Sequence, residues 1–493
     1  MTQLLTAKQM RDSDARAIGG NEAKSRELMY LASLGVYNNV KWHGKIGIVV
    51  GKGNNGGDGY SLALILKENN LDCDIIAPLG EPKKESTAYY YFNKCKDVIS
   101  ILKSADLNKY DVLVDCIFGT GFDGKIEGEL KELFSSYNKS RGYKVSVDIN
   151  SGLNSDTGLG ENVLLSDITV SIGSYKLGHV LNISRDAMKS KINVDIGIEP
   201  IDSVACLFEE QDARSLLKDR QSYSYKGTYG TVTLIGGMDE YTGAIKLANM
   251  SASAIRSGCG ICRLAVPEAI KDAVMPYLLD STLYKLSSEN GSIKYNEEQL
   301  DYLMKNSTVI SYGMGTVENA DSVSIIKYIL KNYEGILILD AGGLRSFAKI
   351  DLEEIIKRKC QLVLTPHLGE MRALYSDYRN PLDVVDYARR INSMVLLKGN
   401  ATIITDGENT LISDTGCPGM AKGGSGDVLS GIIAGLVASR KEGTNLVDIV
   451  ALGAYINGIA GEIAKEELCD ISMCASDTAK SVGKAIKKIK NNQ

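Results

Sequence analysis

The chain has 493 residues, of which 44% are hydrophobic and 24% are charged, and its net charge at pH 7 is −5. This length exceeds what one ordinary core supports, so at least two domains are expected, and the acidic balance argues against a nucleic-acid-binding surface. The only basic run in the sequence is its end, KSVGKAIKKIKNNQ, which indicates a solvated last helix and not a membrane or nucleic-acid patch.

A sequence without a recognisable signal peptide and with scattered cysteines predicts a cytoplasmic protein without a membrane partner. The stretch MTQLLTAKQMRDSD meets charge too early for a signal peptide. The longest apolar runs, such as VLSGIIAGLVA from Val428, are expected to be too short to span a bilayer. The ten cysteines are scattered, as is typical of free thiols. Cys259 and Cys262 form a CxxC, for which core filling is the favoured interpretation and a redox pair the alternative.

From about Ile46 the sequence alternates between strand-like and helix-like segments. The predicted strands are short apolar runs closed by glycine or serine, namely KIGIVV, CDIIAPLG, DVLVDCIFG, KVSVDINSG and DITVSIGS. Longer segments between them, such as AYYYFNKCKDVISILKSA, have helical spacing. This alternation predicts a parallel sheet covered on both faces, in which ligands gather at the carboxyl ends of the strands.

The alternation lapses between Glu199 and Ser224, where the sequence carries charge and no predicted strand. A second α/β series follows, with TVTLIGG, CRLAV, STVISYG, GILILDAGG, QLVLTPH and MVLLKG as its predicted strands. The two halves share this style but no repeated motif. We therefore expect a fusion of two different α/β domains, residues 1–205 and residues 220–493.

The loop GKGNNGGDG, which starts at Gly51, directly follows the first of these strands. Its glycines allow a tight turn close to a ligand, and a helix predicted to open near Asp58 offers free N–H groups. A tight turn alone would explain the glycines but not Asn54 and Asn55, whose neutral oxygens suit a cation or a sugar hydroxyl. Residues 51–56 of the loop have the GxGxxG spacing, but the loop lacks the Lys-Ser/Thr ending of a P-loop.

Three more oxygen donors follow predicted strands in this half: Asp115, Asp148 and Ser151. A carboxylate, an amide and a hydroxyl from separate loops are the ligands that a hard cation requires. Each aspartate alone could simply cap the helix or turn that follows it. Together, and beside Asn55, they predict a binding site.

Between about Leu5 and Glu199 the sequence resembles the NAD(P)H-hydrate epimerase family, through GKGNNGGDG, VDCIFGTGFDG, VSVDINSGLNSDTG and DITVSIGSYKLG. The resemblance implies a Rossmann-like, three-layer domain, a potassium ion held by Asn55, Asp115 and Ser151, and Asp148 as the catalytic residue. It also implies substrate contacts from Asn54, Asn55, Gly56, Gly57, Asp58, Gly119, Thr120, Gly121, Phe122, Asp123, Gly124 and Lys125. The chain departs from the family at LMYLAS (residues 28–33), where an acidic-Asn-Ala-Gly stretch is usual, and at Asn150, where proline is usual.

The epimerisation that the resemblance implies fits these residues. A nicotinamide hydrate carries a hydroxyl on the ring carbon beside the ring nitrogen, whose lone pair can expel it to leave a cation. Water can then return to either face, so no redox cofactor is needed. In this hypothesis Asp148 protonates the departing oxygen and then stabilises the cation.

The second half has its own glycine-rich segment, KGGSGD, which starts at Lys422 and opens a helix. Successive glycine N–H groups at a helix start bind an anion. Since a carboxylate repels phosphate, Asp427 is better interpreted as a base that takes a hydroxyl proton than as a phosphate ligand. The alternative is a plain helix start with Asp427 as an acid of the first turn.

From about Gly227 to its end the sequence resembles the ADP-dependent NAD(P)H-hydrate dehydratases, which are ribokinase-like, through KGTYGTVTLIGG, YTGAIKLA, LTPHLGEM, LLKGNATIITDG and AKGGSGDVLSG. The resemblance implies that the hydrate site is lined by Ala244, Gly313, Gly315, His367 and Asp427. It implies that the nucleotide is contacted by Lys398, Gly399, Asn400, Ala401, Thr402, Gly423, Gly424, Ser425 and Gly426. The chain departs from the family at Tyr312, where proline is usual, at Gly342, where aspartate is common, and at Asn457, where histidine is usual.

The resemblance implies that NADH and NADPH hydrates are the substrates, with ADP as co-substrate and Mg²⁺ and K⁺ as ions, and a homo-oligomer is expected. Asp427 would deprotonate the ring hydroxyl for attack on ADP, and loss of phosphate would regenerate NAD(P)H. One alternative is a small-alcohol or vitamin-precursor kinase that uses the same base. In that alternative the N-terminal half is a non-catalytic module that binds a nucleotide or a protein partner.

Overall fold

A computed structural model describes residues 1–250 and 256–491 of the chain. The chain divides into two compact units, Thr2–Cys206 and Leu207–Gln493, with Met1 grouped with the second. Each unit is built from alternating strands and helices, which confirms the predicted two-domain α/β fold class.

The N-terminal unit contains nine strands and six α-helices among its described residues. Its strands are β1 (Thr2–Leu5), β2 (Ile46–Val50), β3 (Cys73–Ile76), β4 (Ser100–Leu102), β5 (Val112–Cys116), β6 (Tyr143–Val147), β7 (Ile168–Ile172), β8 (Tyr175–Lys176) and β9 (Lys191–Val194). Its helices are α1 (Ala7–Ile18), α2 (Glu22–Asn39), α3 (Asn54–Glu68), α4 (Thr87–Cys95), α5 (Gly128–Lys139) and α6 (Ser184–Ala187), with short 3₁₀ turns at Leu107–Lys109 and Leu177–His179.

Seven of these strands form one sheet in the order β4-β3-β2-β5-β6-β7-β9, and every neighbouring pair is parallel. All residues of β2 and β5 are buried, as expected for central strands covered on both faces. The strand order reverses between β2 and β5, so the loops that follow these two strands diverge and leave a crevice. The glycine-rich loop and Asp115 lie on either side of this point.

Two details of this unit differ from the sequence-based prediction. The segment predicted as one helix, AYYYFNKCKDVISILKSA, is helix α4 followed by the edge strand β4, because Ser100–Leu102 pairs with β3. Helix α3 begins at Asn54 and not near Asp58, so both asparagines lie in its first turn.

Strand β10 (Ala205–Leu207) lies at the division between the units. The strands of the C-terminal unit that follow are β11 (Thr231–Ile235), β12 (Ile261–Pro267), β13 (Thr282–Leu286), β14 (Ser288–Glu289), β15 (Ser292–Ile293), β16 (Val309–Tyr312), β17 (Ile336–Leu339), β18 (Gln361–Leu364), β19 (Met394–Leu397), β20 (Thr402–Thr405) and β21 (Thr410–Ser413).

The helices of the C-terminal unit alternate with these strands. They are α7 (Glu210–Leu216), α8 (Thr242–Asn249), α9 (Lys271–Val274), α10 (Glu297–Lys305), α11 (Ala320–Asn332), α12 (Gly342–Phe347), α13 (Leu352–Ile356), α14 (Leu368–Leu374), α15 (Asp383–Ile391), α16 (Ser425–Ala438), α17 (Leu446–Leu468) and α18 (Ala475–Asn491). Short 3₁₀ turns occur at Lys226–Tyr229, Asp239–Tyr241, Glu268–Ile270, Met275–Tyr277 and Pro418–Met420.

The main sheet of this unit has the order β13-β12-β11-β16-β17-β18-β19-β20-β21. Its pairs are parallel as far as β19, and β20 and β21 add two antiparallel strands. The six predicted strands are confirmed, but β13, β20 and β21 were not predicted. The charged segment between Glu199 and Ser224, predicted without a strand, contains β10 and helix α7.

Helix α17 corrects the prediction that no apolar run is long enough to span a bilayer. Among the described residues it is the one helix with sufficient length and apolarity, with a mean hydropathy of 1.5 over its best window. However, 72% of that window is buried inside the protein, as in the core helix of a globular domain. Helix α18 agrees with the predicted last helix, with Lys488 and Lys490 in its final turn.

The cysteines behave as apolar core residues or free thiols. None of the ten forms a disulfide in the described part of the chain. Cys259 and Cys262 are buried, and burial raises the pKa of each thiol to about 12. A thiol with so high a pKa is a poor nucleophile, so the core-filling interpretation of the CxxC is confirmed.

Candidate active sites

The first candidate site is a cavity of about 660 Å³ at the carboxyl ends of β2, β5 and β6. Helices α1 and α2 and the loops after β2, β5 and β6 contribute to its wall, among other segments. Its lining includes Met10, Arg11, Asp14, Leu28, Met29, Lys52, Asn54, Asn55, Asp58, Phe118, Gly119, Thr120, Gly121, Phe122, Asp123, Gly124, Asp148 and Lys176. Most of the predicted substrate contacts are therefore brought together. Gly56, Gly57 and Lys125 do not line this cavity, although Lys125 lines a neighbouring one of about 360 Å³.

Two glycines of the loop, Gly51 and Gly56, are required by close backbone approach. A Cβ atom on Gly51 would lie 2.0 Å from the carbonyl oxygen of Ile117, and one on Gly56 would lie 2.1 Å from that of Gly51. The loop thus folds tightly against the end of β5. This packing puts Asn55 at the base of the cavity, with its side chain against the Phe118 carbonyl.

The three predicted potassium ligands lie next to one another. The Ser151 hydroxyl donates to Asp115 Oδ1 over 2.5 Å and also lies 3.2 Å from the Phe118 carbonyl oxygen. Asn55 Nδ2 donates to the same Phe118 carbonyl. Asn55 Oδ1 is buried and has no hydrogen-bond partner within residues 1–250 and 256–491. Burial raises the pKa of Asp115 to about 6, although hydrogen bonds from Ser151 oppose the rise. A cation would satisfy the unpartnered amide oxygen and stabilise the buried carboxylate, so these residues fit one.

Asp148 follows β6 in the left-handed region, with φ of +66°. It forms an ion pair through Oδ1 with Lys176, and Oδ2 accepts from the Thr120 N–H over 3.1 Å. Burial raises the pKa of Asp148, but the charge and hydrogen bond of Lys176 outweigh it and the pKa lies below its usual value. Asp148 is therefore a carboxylate anion, whereas the sequence-based hypothesis made it a proton donor.

His179 fixes the backbone of both Lys176 and Asp148 through its two ring nitrogens. Its Nδ1 accepts from the Lys176 N–H over 3.0 Å, and its Nε2 donates to the main-chain oxygen of Asp148 over 2.7 Å. Burial, together with the charge of Lys176, lowers the pKa of His179 to about 4, so the ring is neutral. Both ring nitrogens are used, which fixes the left-handed turn at Asp148.

Three further carboxyl groups line the cavity, Asp14 on α1, Asp58 on α3 and the exposed Asp123 in the loop after β5. Burial raises the pKa of Asp14 to about 6, with the charge of Lys176 opposing and that of Asp148 adding to the rise. Burial also raises the pKa of Asp58, with contributions from Asp148 and Asp14, to well above its usual range. Asp148 is thus ionised, whereas Asp14 and Asp58 bind protons more tightly.

The departures from the epimerase pattern have structural roles here. Asn150 is fully buried and donates from Nδ2 to the carbonyls of Leu164 and Ala187, while its Oδ1 accepts from Thr169. It therefore ties three segments together where proline is usual. In the LMYLAS segment, Leu28 and Met29 are buried and form an apolar wall of the cavity.

The second candidate site lies at the carboxyl ends of β16 to β19, facing the start of α16. Asp427 is in the first turn of α16, after Gly424, which has φ of +95°. Burial, followed by the negative charge of Asp340, raises the pKa of Asp427 to about 7, with Lys398 opposing the rise. A carboxylate with a pKa near neutrality is suited to general-base catalysis.

A buried ion pair underlies Asp427. Asp340, directly after β17, accepts from Lys398 Nζ over 2.7 Å and from Ser430 Oγ over 2.7 Å. Lys398 Nζ is also 3.8 Å from Glu370 Oε2. A Cβ atom on Gly426 would lie 3.2 Å from Lys398 Nζ and 3.5 Å from Asp340 Oδ2, so the start of α16 presses directly on this pair.

His367 is the N-cap of α14. Its Nδ1 accepts from the N–H groups of Gly369 and Glu370, and its Nε2 lies 3.4 Å from Glu370 Oε1. The side chain is 54% exposed, so the ring also presents an open face. A main-chain hydrogen bond from Lys398 to Pro366 places it beside the end of β19.

The remaining predicted residues lie near the Lys398–Asp340 ion pair or on the segments that lead to it. Gly313, with φ of +125°, has no room for a side chain, because a Cβ atom would lie 2.0 Å from the carbonyl oxygen of Asp340. A Cβ atom on Gly315 would contact that of Ala244 at 3.1 Å, and one on Gly424 would meet Leu247 on the same helix α8. The predicted nucleotide segment 398–402 connects β19 to β20, and Gly423 is open on the side where a Cβ would project.

Departures from the dehydratase pattern are accommodated in different ways. A Cβ atom on Gly342 would lie 2.1 Å from the carbonyl oxygen of Thr316, so this backbone excludes the aspartate that is common there. Tyr312 is buried, and its hydroxyl lies 2.7 Å from Ser322 Oγ. Asn457 in α17 is buried, and its Oδ1 has no hydrogen-bond partner within the described part of the chain.

Sequence reasoning assigned no role to Asp14, Lys176, Asp340 or Glu370. Asp340 could have been found, because it closes an apolar strand in GILILD just as Asp148 does in VSVD. Lys176 is part of the quoted motif SIGSYKLG, but its burial could not be read from that motif. Asp14 lies in a polar helix with no pattern that distinguishes it from Asp12.

Comparison with known proteins finds a match for each unit. A family model described as NAD(P)H-hydrate dehydratase matches residues 232–484, and one described as YjeF-related protein N-terminus matches residues 25–178. The bifunctional NAD(P)H-hydrate repair enzyme Nnr of Archaeoglobus fulgidus is 31% identical over 469 residues, 94% of each chain. The protein of the same name from Methanothermobacter thermautotrophicus is 31% identical over 86% of this chain and 83% of its own.

A solved structure supports the fold of the larger part of the chain. A ribokinase-like superfamily protein from Enterococcus faecalis covers 59% of this chain and 99% of its own, with 24% identity and a TM-score of 0.50. The predicted ribokinase-like fold is thereby confirmed. Because the relatives with both parts match nearly end to end, the chain belongs to the family of bifunctional NAD(P)H-hydrate repair enzymes.

Proposed function

We propose that this chain repairs hydrated NADH and NADPH, with an epimerase site in the N-terminal unit and an ADP-dependent dehydratase site in the C-terminal unit. The observation that carries the proposal is that each unit has its own site around a half-buried carboxylate, Asp148 after a strand in one and Asp427 at a helix start in the other. The full-length relatives named for this activity span both sites.

In the first site, Asp148 faces the hydrated nicotinamide ring as an anion. The ring nitrogen expels the hydroxyl and becomes part of a cationic ring, which the negative charge of Asp148 stabilises. Lys176 keeps Asp148 ionised and turned toward the cavity. The apolar wall from Leu28 and Met29 limits access of bulk water to the cation.

A potassium ion in this unit would be held by Asn55 Oδ1, Asp115 and Ser151. It would supply positive charge beside the glycine-rich loop and the start of α3. Asp115 orients this set by accepting from the Ser151 N–H and hydroxyl, and Phe118 accepts from Asn55. These contacts hold the loop in the shape that lines the cavity.

In the second site, Asp427 takes the proton of the ring hydroxyl, whose oxygen then attacks the terminal phosphorus of ADP. AMP leaves, and the ring nitrogen expels the phosphate that has formed on the ring carbon. Loss of a proton from the neighbouring carbon restores the dihydronicotinamide. The Gly423–Gly426 segment before α16 offers main-chain N–H groups to the phosphates, as is common at helix starts.

The choice of ADP over ATP rests on the resemblance to fused microbial enzymes. Phosphoryl transfer of this kind normally uses Mg²⁺. The described residues contain no cluster of three or more His, Cys, Asp or Glu side chains suited to a metal ion, so we propose that Mg²⁺ enters with the nucleotide. A cytoplasmic location and a homo-oligomeric state remain part of the proposal.

The proposal is tested by separating the two activities with one substitution in each unit. With the R epimer as substrate, Asp148→Asn is expected to abolish NAD(P)H formation, whereas Asp427→Asn should still equilibrate the epimers without forming NAD(P)H. With the S epimer, Asp148→Asn should form NAD(P)H at the wild-type rate. Loss of both activities in either variant, with the fold intact, or release of a stable phosphorylated product would contradict the proposal and favour the kinase alternative.

A further inference from the structure

The structure leaves the proposed epimerase site with an anion but without an assigned proton donor. Expulsion of hydroxide from the ring is slow unless the oxygen is protonated as it leaves. Both side-chain oxygens of Asp148 already accept, one from Lys176 and one from the Thr120 N–H. Lys176 is 1% exposed and also donates to the Ile172 carbonyl over 2.9 Å, so its ammonium is occupied as well.

Asp14 is in the position to supply this proton. It is half-buried on the cavity side of α1 and lines the same cavity as Asp148 and Lys176. Within residues 1–250 and 256–491 its carboxyl group makes no hydrogen bond or ion pair. It is therefore free to contact a ligand, unlike Asp148 and Lys176.

Helix α1 holds Asp14 in a fixed place. The neighbouring Ser13 is buried, donates to the Gln9 carbonyl over 2.7 Å and accepts from the Ile201 N–H over 3.1 Å. Thr6 and Gln9 form a capping box at the start of the helix. Met10 packs against Gly173, where an added Cβ atom would lie 2.6 Å from the Met10 methyl group. A catalytic group must be held in this way.

Asp58, which also lines the cavity, is less suited. Burial, to which the negative charges of Asp148 and Asp14 add, raises the pKa of Asp58 well above its usual range, so this group gives up its proton less readily. The pKa of about 6 for Asp14, raised by burial, lies near the operating pH, where a group can both give and take a proton. The charged groups that line the cavity with Asp14 are Arg11, Lys52, Asp58, Asp123, Asp148 and Lys176.

We propose that Asp14 is the acid–base residue of epimerisation, an inference that rests on the epimerase activity proposed above. The Asp14 carboxyl gives its proton to the hydroxyl oxygen as the carbon–oxygen bond breaks, and water leaves. The ring nitrogen supplies the electron pair of the new C=N bond, and Asp148 stays ionised beside the cation. Water then adds to either face of the ring and returns a proton to Asp14, so charge and atoms balance without an oxidant or reductant.

The test compares Asp14→Asn with Asp12→Asn, an exposed aspartate on the same helix. Epimerisation of purified R-NADH hydrate by the full chain is followed between pH 5.5 and pH 8.5, after subtraction of spontaneous exchange. Asp14→Asn is expected to lower kcat by about 10²-fold or more with little change in KM, whereas Asp12→Asn should match the wild type. The wild-type kcat should fall as pH rises above about 6, since the acid must be protonated, and this dependence should disappear in Asp14→Asn.

Asp14→Glu should recover part of the rate, which a purely structural role would not require. Dehydration of the S epimer with ADP, measured on the same samples, reports that the chain is folded. If the wild type epimerises and Asp14→Asn does so at a similar rate, or keeps the wild-type pH profile, the inference is wrong while the proposed function stands. If the wild type itself does not epimerise, the proposed function of this unit fails.

Discussion

At the scale of single residues, both units contain a lysine–aspartate ion pair beside the proposed site. Each buries a lysine–aspartate pair under the site, Lys176 with Asp148 in one and Lys398 with Asp340 in the other. Burial of a charge is costly unless a partner and hydrogen bonds compensate it, and both aspartates accept from at least two donors. These pairs set the local charge in which a further carboxyl group titrates.

Asp340 is expected to set the pH dependence of dehydration. Burial is the largest cause that raises the pKa of Asp427 to about 7, and the negative charge of Asp340 is the second. The base is therefore ionised and active only as pH rises through that value. In Asp340→Asn this charge is lost and Lys398 is left to attract Asp427, so the pKa of Asp427 should fall. The rising limb of kcat/KM for the S epimer should move to lower pH by about one unit.

Asp377→Asn is the matched control, since Asp377 is an exposed aspartate of the same unit. Its pH profile should coincide with that of the wild type. An unchanged limb in Asp340→Asn would mean that Asp340 does not influence the base.

At the scale of elements, the sites depend on loops that leave no space for side chains. Gly342, at the start of α12, is the clearest case, because a Cβ atom there would lie 2.1 Å from the Thr316 carbonyl oxygen. Gly342→Ala should therefore lower the free energy of unfolding by roughly 1–3 kcal/mol, as overpacking does. Chemical denaturation of the full chain, followed by circular dichroism, measures the change.

Gly483→Ala in α18 provides the comparison, since the nearest atom to its added Cβ is the tip of Arg256 at 3.6 Å. Alanine is about 1 kcal/mol better than glycine inside a helix, so this variant should be as stable as the wild type or more so. Equal effects at the two positions would contradict the steric account of Gly342.

Strand ends were the most predictable elements. An apolar run that stops at a polar residue identified Asp115 and Asp148, because the carboxyl ends of parallel strands share one edge of the sheet. The roles of Lys176 and Asp14 could not be predicted in this way. They depend on which side chains meet across the fold, and sequence periodicity carries no information about that. Strands β20 and β21 were missed because they are antiparallel additions to a series predicted to be parallel.

At the scale of the whole molecule, the pKa values of Asp14 and Asp427 define the pH range in which both reactions proceed together. Epimerisation should weaken above about pH 6, where Asp14 loses its proton, and dehydration should weaken below about pH 7, where Asp427 gains one. Conversion of the R epimer to NADH should therefore be fastest between about pH 6 and pH 7. Conversion of the S epimer alone should continue to rise to about pH 8. Identical pH profiles for the two substrates would contradict this account.

The most direct test of the central claim uses the full chain with a mixture of both NADH hydrate epimers, Mg²⁺ and K⁺, and with ADP, ATP or no nucleotide. Recovery of the dihydronicotinamide absorbance is followed against spontaneous exchange. Complete recovery from both epimers with ADP, and none without nucleotide, is the expected result. Recovery that stops when the S epimer is consumed would contradict an epimerase in the N-terminal unit, and no recovery with either nucleotide would contradict the repair function as a whole.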